Sequence, residues 1–324
     1  MDISRLVQPH STASKTDPAD VIMWLPPPPS SSSQAHPRQE QTTTTTCQTS
    51  NAPAFPGPLL VVDSANNSDR RRSLLPAAHT RTALLLIDIQ RGLNTSHGYY
   101  GTDRSTPTLE GNVATLLGRC REYNANANAH ARAADVDSTG NYPIQIIHVF
   151  HQSNNPASPL HVSGRTQKDG MEFMPCAAPD EPSSSAFETV LGKTANSAFA
   201  DGGRLQSLLA AKKVGQLVVV GIATDHCVSS SVRWAKDLGV VKRNWDRVSH
   251  GDGGGGGAAN GEAEMQVEME MDNEGTIVVV RDATACFGKG GVGAEVVQRV
   301  SLASLEGEFA DVLSTADVLG DLVG

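Results

Sequence analysis

From Thr82 onward the chain alternates short apolar runs with amphipathic stretches, and this pattern predicts strands and helices in turn. The apolar runs are bounded by glycine or polar residues, as is typical of strands buried on both faces. The predicted strands are 83–87, 144–150, 187–191, 217–222, 276–281 and 311–314, and the predicted helices are 107–123, 204–213, 228–238 and 293–308. Strands separated by helices imply right-handed crossovers, so we predict an α/β fold, a three-layer αβα sandwich of Rossmann-like type with a mostly parallel six-stranded sheet.

Three segments depart from this alternation. Residues 1–80 are dominated by Ser, Thr, Pro, Gln and Asn, and such a composition cannot bury enough apolar surface to offset the entropy of ordering. We therefore predict a disordered low-complexity tail at 1–80, followed by one folded domain at 81–324. Within that domain, the Asn- and Ala-rich stretch at about 124–141 and the Gly-rich, acidic stretch at about 242–274 are predicted to be flexible insertions.

Charge and cysteine content exclude several classes of protein. The formal net charge is −9, and no basic face alternates with aromatic residues, so nucleic acid is not an expected partner. No apolar run approaches the ~20 residues that cross a bilayer, and the start at Met1 lacks a signal-peptide pattern, so we expect no membrane partner and a cytoplasmic location. The five cysteines are odd in number and form no CxxC pair, which argues against a disulfide scaffold or a thiolate zinc site.

Ionisable residues follow three of the predicted strands. Asp88 follows the first strand, Lys193 follows the third, and Cys227 lies where the fourth strand turns into a helix. Because ligands bind at the carboxyl ends of parallel strands, we expect these groups to share one edge of the sheet. A helix N-terminus favours the thiolate relative to a free cysteine of pKa about 8.5. Taken singly, each residue also has a structural alternative: a capping aspartate, a solvated lysine and a buried cysteine.

Together the three residues have the chemical groups needed for acyl transfer. Asp88 would act as general base, taking the thiol proton and later passing it to a leaving amine. Lys193 would hold the thiolate and carboxylate electrostatically, while Cys227 attacks a carbonyl carbon and forms an acyl-thioester. Backbone amides of the turn before the helix would stabilise the oxyanion.

Three segments resemble the isochorismatase-like cysteine hydrolases, a superfamily that includes nicotinamidases, carbamoylases and isochorismatase itself. They are Leu86-Ile87-Asp88-Ile89-Gln90, Gly192-Lys193-Thr194-Ala195-Asn196-Ser197-Ala198-Phe199 and Gly221-Ile222-Ala223-Thr224-Asp225-His226-Cys227-Val228. The resemblance covers nearly all of residues 82–319 and implies an isochorismatase-like fold. It also implies a catalytic triad of Asp88, Lys193 and Cys227, a cis peptide between Ile222 and Ala223, and an oxyanion hole formed by the amides of Ala223 and Cys227.

The stretch after the second strand departs from the nicotinamidase pattern. Nicotinamidases carry a metal site there with an Asp-x-His pair, whereas this chain has His148, His151 and His161 without such a pair. On a strand, His148 and His151 point to opposite faces, so they would ligate one metal only if the strand ended between them. We therefore predict no metal and no cofactor.

Five residues are candidates for lining the substrate pocket. Arg104 would bind a substrate carboxylate, although an exposed loop arginine or one that pairs with Asp103 is the alternative. The full set is Gln90, Arg104, His151, Phe173 and Phe199.

The function predicted from these residues is a metal-independent hydrolase of C–N bonds in a small amide, ureido or imide compound, acting through a thioester on Cys227. Isochorismatase cleaves a vinyl ether and needs no cysteine nucleophile, so Cys227 favours acyl transfer. A nicotinamidase-type metal-assisted amidase and an isochorismatase-type ether hydrolase are alternatives, and a catalytically silent binding protein on the same fold is an alternative of another class. The expected partners are a small-molecule substrate and, by resemblance, further copies of the chain in a homo-oligomer.

Overall fold

The computed structural model describes residues 74–95, 99–131, 142–180, 186–245 and 273–323. Its strands are β1 (Thr82–Ile87), β2 (Gln145–His151), β3 (Glu188–Lys193), β4 (Gln216–Ile222), β5 (Thr276–Ala285) and β6 (Asp311–Leu313). Its α-helices are α1 (Arg91–Thr95), α2 (Leu109–Ala131), α3 (Arg204–Ala211), α4 (Ser229–Asp237), α5 (Ala294–Ala303) and α6 (Thr315–Leu322). A 3₁₀ turn covers Pro175–Ala177, and a π-helical turn covers Thr224–Val228.

The strands form one six-stranded sheet in the order β3-β2-β1-β4-β5-β6, and every pairing is parallel. The predicted α/β sandwich with a parallel sheet is therefore confirmed. Because the chain adds strands on one side of β1 up to β3 and on the other side from β4 onward, the strand order reverses between β1 and β4. This reversal opens a crevice at the carboxyl ends of those two strands, where open α/β sheets bind ligands.

Both faces of the sheet are covered, since successive side chains along each strand alternate between two buried clusters. Leu84 and Leu86 of β1 pack in the cluster that contains the apolar residues of α2 and α6. Leu85 and Ile87 pack in the other cluster, with α3 and α4. A strand buried on both faces cannot show an apolar–polar alternation, which explains the continuous apolar runs in the sequence.

Several boundaries differ from the sequence prediction. β3 extends to Lys193, so this lysine ends the strand instead of lying in the loop after it. β5 continues to Ala285, with a register shift against β4 near Val219 and Gly221. The short helix α1 and the final helix α6 were not predicted, because each has too few residues to establish a helical period.

The ends of the predicted disordered segments also need correction where the structure describes them. Leu74 and Ala77 are buried in the core, and the Ala77 N–H donates to Leu322 O at 3.0 Å, so the domain begins before residue 81. Helix α2 covers the first part of the insertion predicted at 124–141. The remainder of the predicted tail, of that insertion and of the Gly-rich segment lies outside the described residues. None of the helices in the described ranges combines the length and apolar character needed to cross a bilayer.

Candidate active site

The candidate site lies at the carboxyl ends of four neighbouring strands. Asp88 follows β1, His151 ends β2, Lys193 ends β3, and the turn that carries Cys227 follows β4. The parallel register places His151 directly beside Lys193 and Ile87 directly beside Gly221. The sheet topology therefore brings together residues that are far apart in the sequence.

Gly221 allows the closest backbone approach in this crevice. Its φ angle is 142°, in a region that only glycine adopts without strain. A Cβ atom added there would lie 2.2 Å from Ile87 O, which is far inside van der Waals contact. Strands β1 and β4 can therefore approach one another closely at their carboxyl ends, just before Asp88 on β1 and the turn that carries Cys227 on β4.

Lys193 connects the other polar groups of the site. Its Nζ lies 2.8 Å from Asp88 Oδ2 and donates to Ala195 O at 2.9 Å and to Cys227 Sγ at 3.3 Å. Both the lysine and the aspartate are almost completely buried, with about 1% of each side chain exposed. Burial alone would lower the pKa of Lys193, but the neighbouring Asp88 carboxylate and Cys227 outweigh it and raise that pKa. Lys193 is therefore a cation at neutral pH.

The two carboxylate oxygens of Asp88 differ in their contacts. Its Oδ2 forms the ion pair, while the buried Oδ1 has no hydrogen-bond partner among the residues that the structure describes. The residue has a positive φ of 52°, and its N–H donates to Val149 O at 2.9 Å. Aspartate is one of the few residues that tolerate this left-handed conformation. A buried carboxylate oxygen without a donor is suited to receive a proton from a neighbouring group.

Cys227 lies in the π-helical turn Thr224–Val228 that precedes α4, and the Ile222–Ala223 peptide bond before this turn is cis. The sequence predicted that a helix N-terminus would favour the thiolate. The structure corrects this: burial and the Asp88 carboxylate raise the pKa of Cys227, and the nearby Lys193 offsets them only in part. The thiol form is therefore favoured in the free protein, and loss of the proton must accompany reaction.

Tyr100 lies in the loop between α1 and α2, and the sequence analysis did not single it out. Its hydroxyl lies 3.1 Å from Ser158 Oγ, and burial raises its pKa, with smaller contributions from Tyr99, Cys227 and Asp88.

Four of the five predicted pocket residues make contacts within the protein. Gln90 is fully buried, and its amide binds the backbone of His151 and Met171, so it holds strand ends together. Arg104 forms a bidentate pair with Glu110 at 2.7 and 2.8 Å and also donates to Asn94, so its guanidinium pairs with Glu110 and not with Asp103.

The two phenylalanines are packing residues. Phe173 is 5% exposed and packs edge-on against Phe150, while Phe199 is 4% exposed and lies in the core beside α3 and α4. His151 lies beside the triad, with its Nδ1 3.4 Å from Lys193 Nζ, and the Gln90 N–H donates to Asp88 O at 2.8 Å.

The histidines do not fit a nicotinamidase-type metal site. β2 continues through His151, so His148 and His151 lie on opposite faces of the sheet. The Nδ1 of His148 faces Ala177 O at 3.1 Å and its Nε2 faces Glu188 Oε2 at 3.1 Å. His161 is exposed, with its Nδ1 bonded to Ser163. Within the described ranges, no group of three or more His, Cys, Asp or Glu residues has a metal-binding arrangement.

His148 instead belongs to a buried ionic network with Glu188 and Arg121. Both ring nitrogens of His148 face oxygen atoms, those of Ala177 O and Glu188 Oε2. Arg121 binds Glu188 through Nε at 2.7 Å and Nη2 at 2.9 Å. Burial alone would raise the pKa of Glu188, but the hydrogen bonds from His148 and Arg121 outweigh it and lower the pKa to about 2.

This network predicts an acid-dependent loss of stability. A carboxylate whose pKa falls from 4.5 to about 2 on folding contributes on the order of 3 kcal/mol above pH 4.5, and this contribution disappears as pH falls towards 2. Urea unfolding between pH 7 and pH 2.5 should show the advantage of the wild type over Glu188→Gln shrinking below pH 4.5. The matched control is Glu122→Gln, at a side chain that is 58% exposed. Its difference in unfolding free energy from the wild type should not change between pH 4.5 and pH 2.5. A pH-independent difference for Glu188→Gln would contradict the network.

Comparisons with known proteins agree with this architecture. A family model described as Isochorismatase domain matches residues 82–242. The chain is 22% identical over 248 residues to YrdC of Bacillus subtilis (strain 168), an uncharacterized isochorismatase family protein, with 75% of this chain and 97% of that protein covered.

Solved structures show the same likeness. A proposed hydrolase of the isochorismatase family from Chromobacterium violaceum ATCC 12472 is 27% identical, with a TM-score of 0.52, and the match covers 78% of this chain and 99% of that one. An isochorismatase from Pseudomonas putida KT2440 is 20% identical, with a TM-score of 0.50, and the match covers 78% of this chain and 96% of that one. The second of these supports the fold alone.

Proposed function

Because the chain is a member of the isochorismatase-like family and carries its hydrolase fold, we propose that it hydrolyses C–N bonds of small amide, ureido or imide compounds through Cys227. The observation that carries this proposal is the position of Lys193 Nζ, which contacts both Asp88 Oδ2 at 2.8 Å and Cys227 Sγ at 3.3 Å. A cation that contacts both a nucleophile and a carboxylate at the crevice of the sheet is suited to acyl transfer.

The first half of the reaction forms a thioester. The thiol proton of Cys227 moves to Asp88 as sulfur attacks the substrate carbonyl, and the negative charge passes to the carbonyl oxygen. The backbone amides of Ala223 and Cys227 would bind this oxyanion. Collapse of the tetrahedral intermediate breaks the C–N bond, and the amine leaves with the proton from Asp88. Lys193 keeps a positive charge beside the sulfur and the carboxylate throughout.

The second half regenerates the enzyme. Asp88 takes a proton from water, the resulting hydroxide attacks the thioester carbonyl, and the acid is released as sulfur recovers the proton. No step requires a metal, and the engagement of His148 by Glu188 and Ala177 supports this metal-independent route over the nicotinamidase type.

Trapping the thioester would test this proposal. The protein is incubated with a panel of primary amides, ureides and cyclic imides, quenched in acid and digested for mass spectrometry. We expect the Cys227 peptide to gain the mass of the acyl group of each compound that is turned over, because the thioester survives in acid. Peptides that contain Cys120 or Cys286, whose thiols are buried in the core, are the internal control and should stay unmodified. Absence of turnover across the panel, with no selective alkylation of Cys227, would overturn the proposal.

A further inference from the structure

Lys289 lies in a tight turn between β5 and α5. Its backbone N–H donates to Val292 O, and its carbonyl accepts from the Val292 N–H, both at 3.0 Å. The two residues between them, Gly290 and Gly291, have φ angles of 59° and 78°, in the left-handed region that favours glycine. Positive φ at both central residues is characteristic of a two-residue hairpin loop with a type I′ turn. The backbone from which the Lys289 side chain extends is therefore well defined.

Asp103 anchors both ends of this loop. Its backbone carbonyl accepts from the Gly288 N–H at 2.8 Å, just before the turn. Its Oδ2 accepts from the Ala294 N–H at 2.8 Å, at the start of α5, where a carboxylate also suits the positive end of the helix. None of these bonds involves the turn that carries Cys227. The loop therefore has a position of its own, from which Lys289 can hold a neighbouring element in place.

The Lys289 ammonium joins this loop to the cysteine turn. Its Nζ donates to Asp225 Oδ2 and lies 3.4 Å from His226 Nε2. The Asp225 side chain is only 15% exposed, so water does not readily replace this contact. Asp225 lies between Ala223 and Cys227, whose amides are the proposed oxyanion donors. An ion pair in the middle of so short a segment limits the movement of the backbone that carries both amides.

A second contact holds the other end of the same turn. The Ser231 hydroxyl donates to Cys227 O at 2.6 Å and accepts from the Ala198 N–H at 2.9 Å. This contact fixes the peptide group that follows Cys227, whereas the Lys289 pair acts on the residues that precede it. Loss of Lys289 would therefore leave the side-chain anchor at Ser231 in place and release the part of the turn that leads to the Cys227 amide.

We propose that Lys289 is a positioning residue for acyl transfer, which acts through Asp225 to hold the Cys227 amide where the oxyanion develops. This inference rests on the proposed function and adds a residue that the triad does not include. Misplacing a catalytic group by about 1 Å can cost about 10²-fold in rate. A pair this exposed contributes little to stability, so its effect should appear in catalysis and not in unfolding.

Replacing Lys289 with methionine is the first test, on an amide that the wild type hydrolyses. We expect kcat to fall by at least about tenfold and KM to stay within about threefold, because substrate binding does not depend on the oxyanion donors. Lys289→Arg keeps a cation and should restore kcat to within about threefold of the wild type. The matched control is Lys236→Met, which breaks the pair with Glu274 at a lysine that is 35% exposed, and its kcat should stay within about twofold.

Alkylation by iodoacetamide separates displacement of the amides from a general loss of structure. In this reaction the Cys227 thiolate displaces iodide and forms an S–C bond, so no oxyanion develops. The alkylation rate of the Cys227 peptide in Lys289→Met, measured by mass spectrometry, should stay within about threefold of the wild type although kcat falls. A fall of both rates by the same factor would locate the defect at the sulfur or in folding and would overturn the positioning of the oxyanion donor.

A double-mutant cycle tests whether Lys289 acts through Asp225. Asp225→Asn removes the charge with which the lysine pairs, so adding Lys289→Met should then lower kcat by no more than about twofold. If the lysine instead contacts the substrate directly, its replacement should cost as much in Asp225→Asn as in the wild type. That result would overturn the role through Asp225.

The remaining outcomes separate this inference from the proposed function. An unchanged kcat in Lys289→Met, on a compound that the wild type hydrolyses, would overturn the positioning role and leave the thioester mechanism standing. If the wild type showed neither turnover across the amide panel nor alkylation at Cys227, the proposed function would fail, and this inference with it.

Discussion

Replacing Cys227 with alanine is expected to abolish hydrolysis of every amide that the protein turns over, by at least about 10⁴-fold in kcat. The reason is that no other nucleophile contacts Lys193 among the described residues: its Nζ partners are Asp88, His151, Ala195 O and Cys227 Sγ. Without the sulfur, the amide would have to be attacked directly by water. The measurement is the rate of amine release from a compound that acylates the wild type.

Two controls accompany this variant. Cys176→Ala removes a half-buried thiol in the 3₁₀ turn Pro175–Ala177, where its charged neighbours are Glu110 and Arg104, so its kcat should stay within about twofold of the wild type. Cys227→Ala should keep its fold, because it removes only one sulfur from a partly buried position. Turnover by Cys227→Ala within tenfold of the wild type would show that hydrolysis does not proceed through this cysteine.

Replacing Lys193 with methionine is expected to cost about 3–5 kcal/mol of unfolding free energy, because it leaves the Asp88 charge buried without a partner. It should also reduce kcat by more than about 10³-fold, since the cation beside sulfur is lost. In the double variant Lys193→Met/Asp88→Asn, the buried charge is removed as well. Most of the lost unfolding free energy should then be recovered, whereas kcat should stay as low as in Lys193→Met. Urea unfolding and amine release measure the two effects separately.

The matched control is Lys289→Met, which removes a cation from the ion pair with Asp225 at a side chain that is 43% exposed. Exposed pairs contribute little, so its cost should stay below about 1 kcal/mol. If Lys193→Met proved no more destabilising than Lys289→Met, Asp88 would have to be neutral in the folded protein, and its assignment as general base would be wrong.

The fold could be predicted because its strands are buried on both faces. Runs such as Leu217–Ile222 carry no polar residue, and alternation with helical stretches leaves few topologies other than a parallel sheet. The family resemblance rested on the segments around Asp88, Lys193 and Cys227, and the family is confirmed by the match at 82–242. Short elements were missed, because α1 and α6 depend on tertiary contacts and caps. The capping box between Ser314 and Asp317 at the start of α6 is one example.

The candidate site was only partly predictable. Asp88, Lys193 and Cys227 could be predicted to share one edge of the sheet because each lies at the end of a strand. Parallel strands place their carboxyl ends at the same edge. The predicted pocket residues stay predictions, because the partners of a side chain are set by the fold and not by the local sequence. Gln90 is engaged by the backbone of residues 151 and 171, and the Arg104 guanidinium is held by Glu110 and Asn94.

The sequence by itself determined the parallel α/β fold, its family and the three residues at the strand ends, since these depend on local pattern and chain order. Only the tertiary structure decided the ionisation of the site. Burial beside Asp88 keeps the proton on Cys227, and Lys193 remains a cation because that same carboxylate faces it. Desolvation and charge proximity act through space, so a linear sequence does not specify them until the fold has set the distances.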